Sequence, residues 1–193
     1  GSAARSGIAL SIGQRLHAGD VIVFRWDPAR IPCCYPEPQP LEVLWEDRFL
    51  LAVNKPAGML VHPTRGVKRG TLTNLLLSHL NPKLTSAEVI PEGGEPTFWP
   101  RFIHRLDRET SGVILAAKDS ASASSLGRAL ASGEFSKSYI AILCGSAPNG
   151  RFEVREPIGR HDNAPPHWSV SPDGQPALSI FEPLVPARSG LSL

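Results

Sequence analysis

The densest group of polar side chains in the sequence is His104-Arg105-Leu106-Asp107-Arg108-Glu109-Thr110-Ser111-Gly112, set between Phe102-Ile103 and an apolar run ending at Ala117. A carboxylate flanked by two guanidinium groups is favoured in its charged form, because nearby positive charge stabilises it. Asp107, between Arg105 and Arg108, is therefore a candidate nucleophile. The same residues also admit a plainer use, in which Asp107 accepts main-chain hydrogen bonds from Thr110 or Ser111 in a local turn. A glycosidase-like pairing of Asp107 with Glu109 is disfavoured. Two such carboxylates must flank a sugar from opposite sides at about 5–10 Å, and residues two apart approach it from one side.

Other chemistries find little support. His62 and His104 have no cysteine or carboxylate at metal-site spacing, so structural roles are expected and no metal is implied. Cys33, Cys34 and Cys144 are odd in number and write neither a disulfide framework nor a zinc CxxC pair, which fits free thiols in a reducing compartment. There is no apolar run of membrane-spanning length and no secretory signal at the start, so no membrane partner is expected.

Net charge is only +2, too mild to indicate nucleic acid by itself. Its distribution is uneven. From Asn54 to Arg108 eight basic residues stand against four acidic ones, and Lys55, Arg65, Lys68 and Arg69 follow one another with no acid between them. Such a stretch suits phosphate contacts, although a merely solvated basic face is the plainer reading.

The elements that must position these groups can be read from pattern. Val21-Ile22-Val23-Phe24 follows a Gly-Asp turn and reads as one strand. Prolines at 28, 32, 36, 38 and 40 block helix and sheet pairing, so residues 27–40 are expected to be a linker, with the main domain beginning near Leu41. Glu42 to Asp47 and Phe49 to Val53 read as two strands around an acidic turn, stopped by Lys55-Pro56-Ala57-Gly58. This Pro-Gly turn suits the floor of a site better than a reactive lysine.

Thr71 precedes Leu72, Leu75, Leu76 and Leu80 at helical spacing, ahead of Pro82. Residues 82–101 are expected to be a long loop. Gly112 to Ala117 reads as a buried strand, followed by a helix capped at Asp119 or Ser120 that carries Leu126 and Leu130 and ends near Gly133. Ser138 to Leu143 reads as a further strand. Phe152-Glu153-Val154 and Ala177 to Phe181 are the remaining strand candidates.

Three motifs in order now connect. Asn54-Lys55-Pro56-Ala57-Gly58, then His104-Arg105-Leu106-Asp107-Arg108-Glu109-Thr110-Ser111-Gly112, then Lys137-Ser138-Tyr139 resemble those of the RluA-like family of RNA pseudouridine synthases. The resemblance covers roughly Leu41 to Leu193. It implies an α+β fold with a mixed, mostly antiparallel central sheet, flanking helices and long loops. It also implies division into 1–26, a remnant of an N-terminal RNA-binding domain; 27–40, the Pro-rich linker; and 41–193, the catalytic domain.

What it implies about activity is isomerisation of uridine to pseudouridine in ribosomal or transfer RNA, without metal or cofactor, by a cytoplasmic monomer. Asp107 matches the catalytic aspartate, which attacks the sugar or the uracil or abstracts a proton. Tyr139 matches the aromatic residue that packs on the target base. Arg105 matches a position that enters the helix stack or the space the base vacates. Since chemistry at the sugar–base bond requires the nucleotide to be flipped out, Lys55, Arg65, Lys68, Arg69 and Arg108 are the RNA-binding candidates.

The sequence departs from the family in two places. No segment of the T-G-R-T-H-Q-I-R type occurs, so the catalytic domain is expected to be incomplete at its C-terminus, with Ser189 to Leu193 beginning the strand that leads there. Gln175 and Ser179 stand where relatives often have Lys and Thr. A non-catalytic RNA-binding relative is the alternative reading.

Overall fold

The computed structural model describes residues 2–5, 8–10, 15–25, 33–83, 90–91, 98–145, 147–160, 167–184 and 191–192. The start of the expected linker, most of the loop expected at 82–101 and most of the closing strand at 189–193 lie outside them. The chain forms two compact units, Gly1–Phe135 and Ser136–Leu193.

In the first unit β1 (Ser2–Arg5), β2 (Ile8–Ala9) and β3 (Ile22–Arg25) make a small antiparallel sheet in the order β2-β1-β3. Then follow β4 (Cys33–Cys34), β5 (Glu42–Glu46), β6 (Leu50–Lys55), α1 (Leu72–Leu80), β7 (Ile90–Pro91), β8 (Arg101–Phe102), β9 (Gly112–Ala117) and α2 (Ser120–Ala131). β4 pairs with β7, and the main sheet runs β5-β6-β9-β8. Every ladder among the described residues is antiparallel.

Alternation along β6 and β9 dictates the core. Leu51 and Val53 pair with Ala116 and Ile114, all four fully buried, and Leu72, Leu76 and Leu80, one helical turn apart, cover them from α1. Each such aliphatic side chain contributes about 1.5–3 kcal/mol by leaving water. Asn74 Oδ1 accepts the Thr71 N–H at 3.0 Å, fixing the start of α1. Asp119 caps α2 by accepting from the Ser122 N–H at 2.8 Å and its hydroxyl at 2.7 Å, and these bonds hold its carboxyl below the usual aspartate range. No helix among the described residues is long and apolar enough to cross a membrane.

The proline-rich segment ends in packed structure. Cys34 contacts Leu77 and Trp99, and Pro36 and Glu37 are buried. This is possible because Asn74 serves the segment from α1: its side chain donates to Tyr35 O at 2.8 Å and its carbonyl accepts from Glu37 N at 3.0 Å.

The second unit consists of paired strands: β10 (Leu143–Cys144) with β15 (Leu191–Ser192), β11 (Phe152–Val154) with β14 (Ser179–Phe181), and β12 (Ile158–Arg160) with β13 (Trp168–Val170). Phe152 and Phe181 stack across β11 and β14 with centroids 5.1 Å apart. The strand expected over 138–143 is not formed before Leu143, because no described segment supplies a ladder for residues 138–142; Ile140 and Ile142 are 77% and 71% exposed.

Candidate active site

β6 and β9 meet in register at Lys55 and Gly112, so the turn after one strand lies against the connection before the other. Gly58 sits in that turn at φ +82°, a conformation glycine adopts without the steric cost of a Cβ. Its N–H donates to Arg108 O at 2.8 Å, and Arg108 Nε donates back to Gly58 O at 2.9 Å. Lys55 completes the clamp, its Nζ donating to Pro56 O and Met59 O at 2.9 Å and to Arg108 O at 3.1 Å.

Lys55 thus does not present its ammonium to solvent, where the basic run led one to expect a phosphate contact. It is 0% exposed and its three N–H groups are all directed at carbonyl oxygens. Burial pushes its pKa down, opposed by the negative charges of Glu109 and Asp107. The sequence held a signal for this: Leu51, Val53 and Lys55 share one face of the strand by period-two alternation, and the first two belong to the core.

Next to the clamp, Leu106 packs against the core and Gly112 opens β9 at φ +130°. Thr110 N–H donates to the main-chain oxygen of Asp107 at 3.2 Å, forming a turn. The plainer use of Asp107 is thus not realised, since the turn is closed by backbone and the carboxylate accepts no hydrogen bond among the described residues. Asp107 and Arg105 are exposed on either side of the anchored Leu106. Arg108 is also exposed, 3.7 Å from the Glu109 carboxylate. His104 Nε2 accepts the Leu115 N–H at 3.3 Å, so that nitrogen carries no proton and braces the connection.

The basic loop leaves the same corner. His62, at its start, meets Phe102, at the start of the Asp107 connection, edge-on with centroids 4.9 Å apart. Thr64 and Val67 close a turn, Thr64 N–H to Val67 O at 2.8 Å, that presents Arg65 to solvent. Lys68 is exposed as well, whereas Arg69 lies 3.4 Å from Glu37 and 4.1 Å over the Tyr35 ring. Buried Glu37 also accepts the Gly70 N–H at 2.9 Å. Tyr35, Glu37 and Asn74 thus shape this loop, and nothing in the sequence singled them out: two are in a segment read only for its prolines and the third in a helix read for its leucines.

Lys55, Arg105, Asp107 and Arg108 are thereby brought together, with Arg65, Lys68 and Arg69 on the adjoining loop. Tyr139 belongs to the second unit, where it is 62% exposed.

The family follows from sequence over most of the chain. Residues 49–191 match the model of the RNA pseudouridylate synthase family, and the chain belongs to it. It is 35% identical over 157 residues to the ribosomal large subunit pseudouridine synthase D of Yersinia pestis, covering 81% of this chain and 42% of that protein. To the uncharacterized RNA pseudouridine synthase YhcT of Bacillus subtilis (strain 168) it is 32% identical over 176 residues, covering 91% and 55%. The human RNA Pseudouridylate Synthase Domain Containing 1 shares the fold, with a TM-score of 0.56 at 22% identity over 81% of this chain and 58% of that one. The chain spans about half the length of the curated relatives it matches.

Proposed function

We propose that this chain carries the catalytic carboxylate of an RNA pseudouridine synthase and that Asp107 is that group. The observation that carries the reading is an exposed carboxylate, free of hydrogen bonds from the described residues, on a connection whose backbone is fixed by Lys55, Gly58 and Arg108. Nucleophilic and acid–base roles alike need a carboxylate that is accessible and fixed in place.

The target uridine must leave its stack, at about a few kcal/mol. Arg65 and Lys68, with the outward faces of Arg69 and Arg108, offset this through phosphate contacts. Arg105 occupies the space left by the base, and Tyr139 stacks on the extruded ring. In this reading 41–193 belongs to the catalytic domain, 27–40 joins it to what precedes, and 1–26 belongs to an RNA-binding element. Large-subunit ribosomal RNA is the substrate, in keeping with the name of the Yersinia pestis relative, within the reducing setting of the cytoplasm.

The test is Asp107→Asn in the full-length protein, with pseudouridine mapped in ribosomal and transfer RNA. Product is expected to disappear from ribosomal RNA while RNA retention is unchanged. Undiminished product would overturn the assignment of Asp107, and product confined to transfer RNA would overturn the choice of substrate.

A further inference from the structure

In the second unit, β12 and β13 pair with Arg160 opposite Trp168 and Ile158 opposite Val170, which puts these four side chains on one face. All four are exposed, Trp168 and Val170 each by 62%, whereas Gly159 and Ser169, on the other face, are half-buried. The Arg160 guanidinium carbon lies 5.8 Å from the Trp168 ring centroid, within cation–π range. Arg160 is the only charge among these four residues, so the four together join an open indole to a cation.

We propose that this face is an RNA-contact platform, on which Trp168 stacks an unpaired base of the substrate strand and Arg160 meets the neighbouring phosphate. The inference rests on the reading of the substrate as RNA. Every nucleobase offers a π-face, so an exposed indole takes an unpaired base whatever its identity. The guanidinium beside it supplies the charge that a phosphodiester requires. A basic partner would find no acid among these four side chains.

The experiment measures binding of the full-length protein to two probes, a labelled single-stranded oligouridylate and a large-subunit ribosomal RNA transcript, across a salt series. Trp168→Ala is expected to weaken binding about tenfold, and Trp168→Phe, which keeps a stacking ring, by about threefold or less. Arg160→Ala should lower the slope of log affinity against log salt by roughly 0.7 for the single strand, the value for one lost phosphate contact. Wild-type affinity in Trp168→Ala would overturn the proposal, as would an equal loss in Trp168→Phe.

Asp107→Asn, assayed alongside, separates the two readings. If it abolishes product while Trp168→Ala binds normally, the platform fails and the synthase reading stands. If product persists while Trp168→Ala weakens binding, the platform stands and the assignment of Asp107 fails.

Discussion

The two units bury their apolar residues very differently. In the first, Leu51, Val53, Leu72, Leu76, Ile114 and Ala116 are all 0% exposed, gathered where one face of a four-stranded sheet meets one helix. In the second no described residue is fully buried, and Tyr139, Ile140, Ile142, Trp168, Val170 and Leu184 are each exposed by more than 60%. Two-stranded ladders have no third layer to close over them, and an isolated pair of strands is at best marginally stable. Asp107 therefore hangs from a packed core, whereas Tyr139 lies in a segment that pairs with no strand among the described residues.

This contrast is broken most directly by truncating one side chain on each side of it. Leu76→Ala is expected to cost about 3 kcal/mol, because it removes a fully buried side chain and leaves a cavity between α1 and β6. Ile142→Ala should change stability by less than about 0.5 kcal/mol, as substitutions away from the core do. Both are measured by urea denaturation of the same protein. A cost for Ile142→Ala approaching that of Leu76→Ala would mean that its surface is covered in solution.

A smaller loss, with a more specific signature, is expected at the clamp. Lys55→Met keeps the length of the side chain and removes the ammonium, leaving Pro56 O and Met59 O without this donor and Arg108 O with only the Gly58 N–H. An unpaired buried acceptor costs about 1–3 kcal/mol, offset here by removal of a desolvated charge, so a net loss of about 2 kcal/mol is expected. Because Arg108 follows Asp107 directly, kcat should fall more than KM rises. Wild-type kcat would show that the clamp is stabilising without being positional.

How much of this was legible depended on whether a residue's partners are local. The helix over 72–80 was readable because Leu72, Leu76 and Leu80 repeat at its own period, and the turn at Pro56-Ala57-Gly58 because proline and glycine restrict or free the backbone by themselves. Lys55 was legible only in part: alternation put it on the core face, but that carbonyls from three separate residues would satisfy it could not be read from the chain. Glu37 was invisible, since its partners Arg69 and Gly70 are over thirty residues away. Residues 138–142 fail in the opposite sense, having strand-forming side chains and no ladder to join among the described residues. β12 and β13 escaped notice because each is three residues long and Gly159 and Pro157 read as breakers.

The smallest effect sharpens the picture at the edge of the packed unit, where β5 has no strand beyond it among the described residues. Glu46 ties that edge down: its carboxylate is 2.6 Å from Lys118 Nζ, just beyond β9, and 2.8 Å from His79 Nε2, at the end of α1. Partial burial raises its pKa, but the hydrogen bonds and charges of Lys118 and His79 outweigh that and leave it below 4.5. At neutral pH folded and unfolded chains both carry the ionised group, so the contribution is fully present. As pH falls through 4.5 the unfolded chain takes up its proton first, and the contribution shrinks until it is lost below the folded-state value. Glu46→Gln is thus expected to cost about 0.5 kcal/mol at pH 7, as half-exposed ion pairs do, and progressively less as the pH falls below 4.5. Thermal unfolding of both proteins across that range checks this. A gap that does not close on acidification would place the contribution of residue 46 in packing, and the edge strand would then be held without charge.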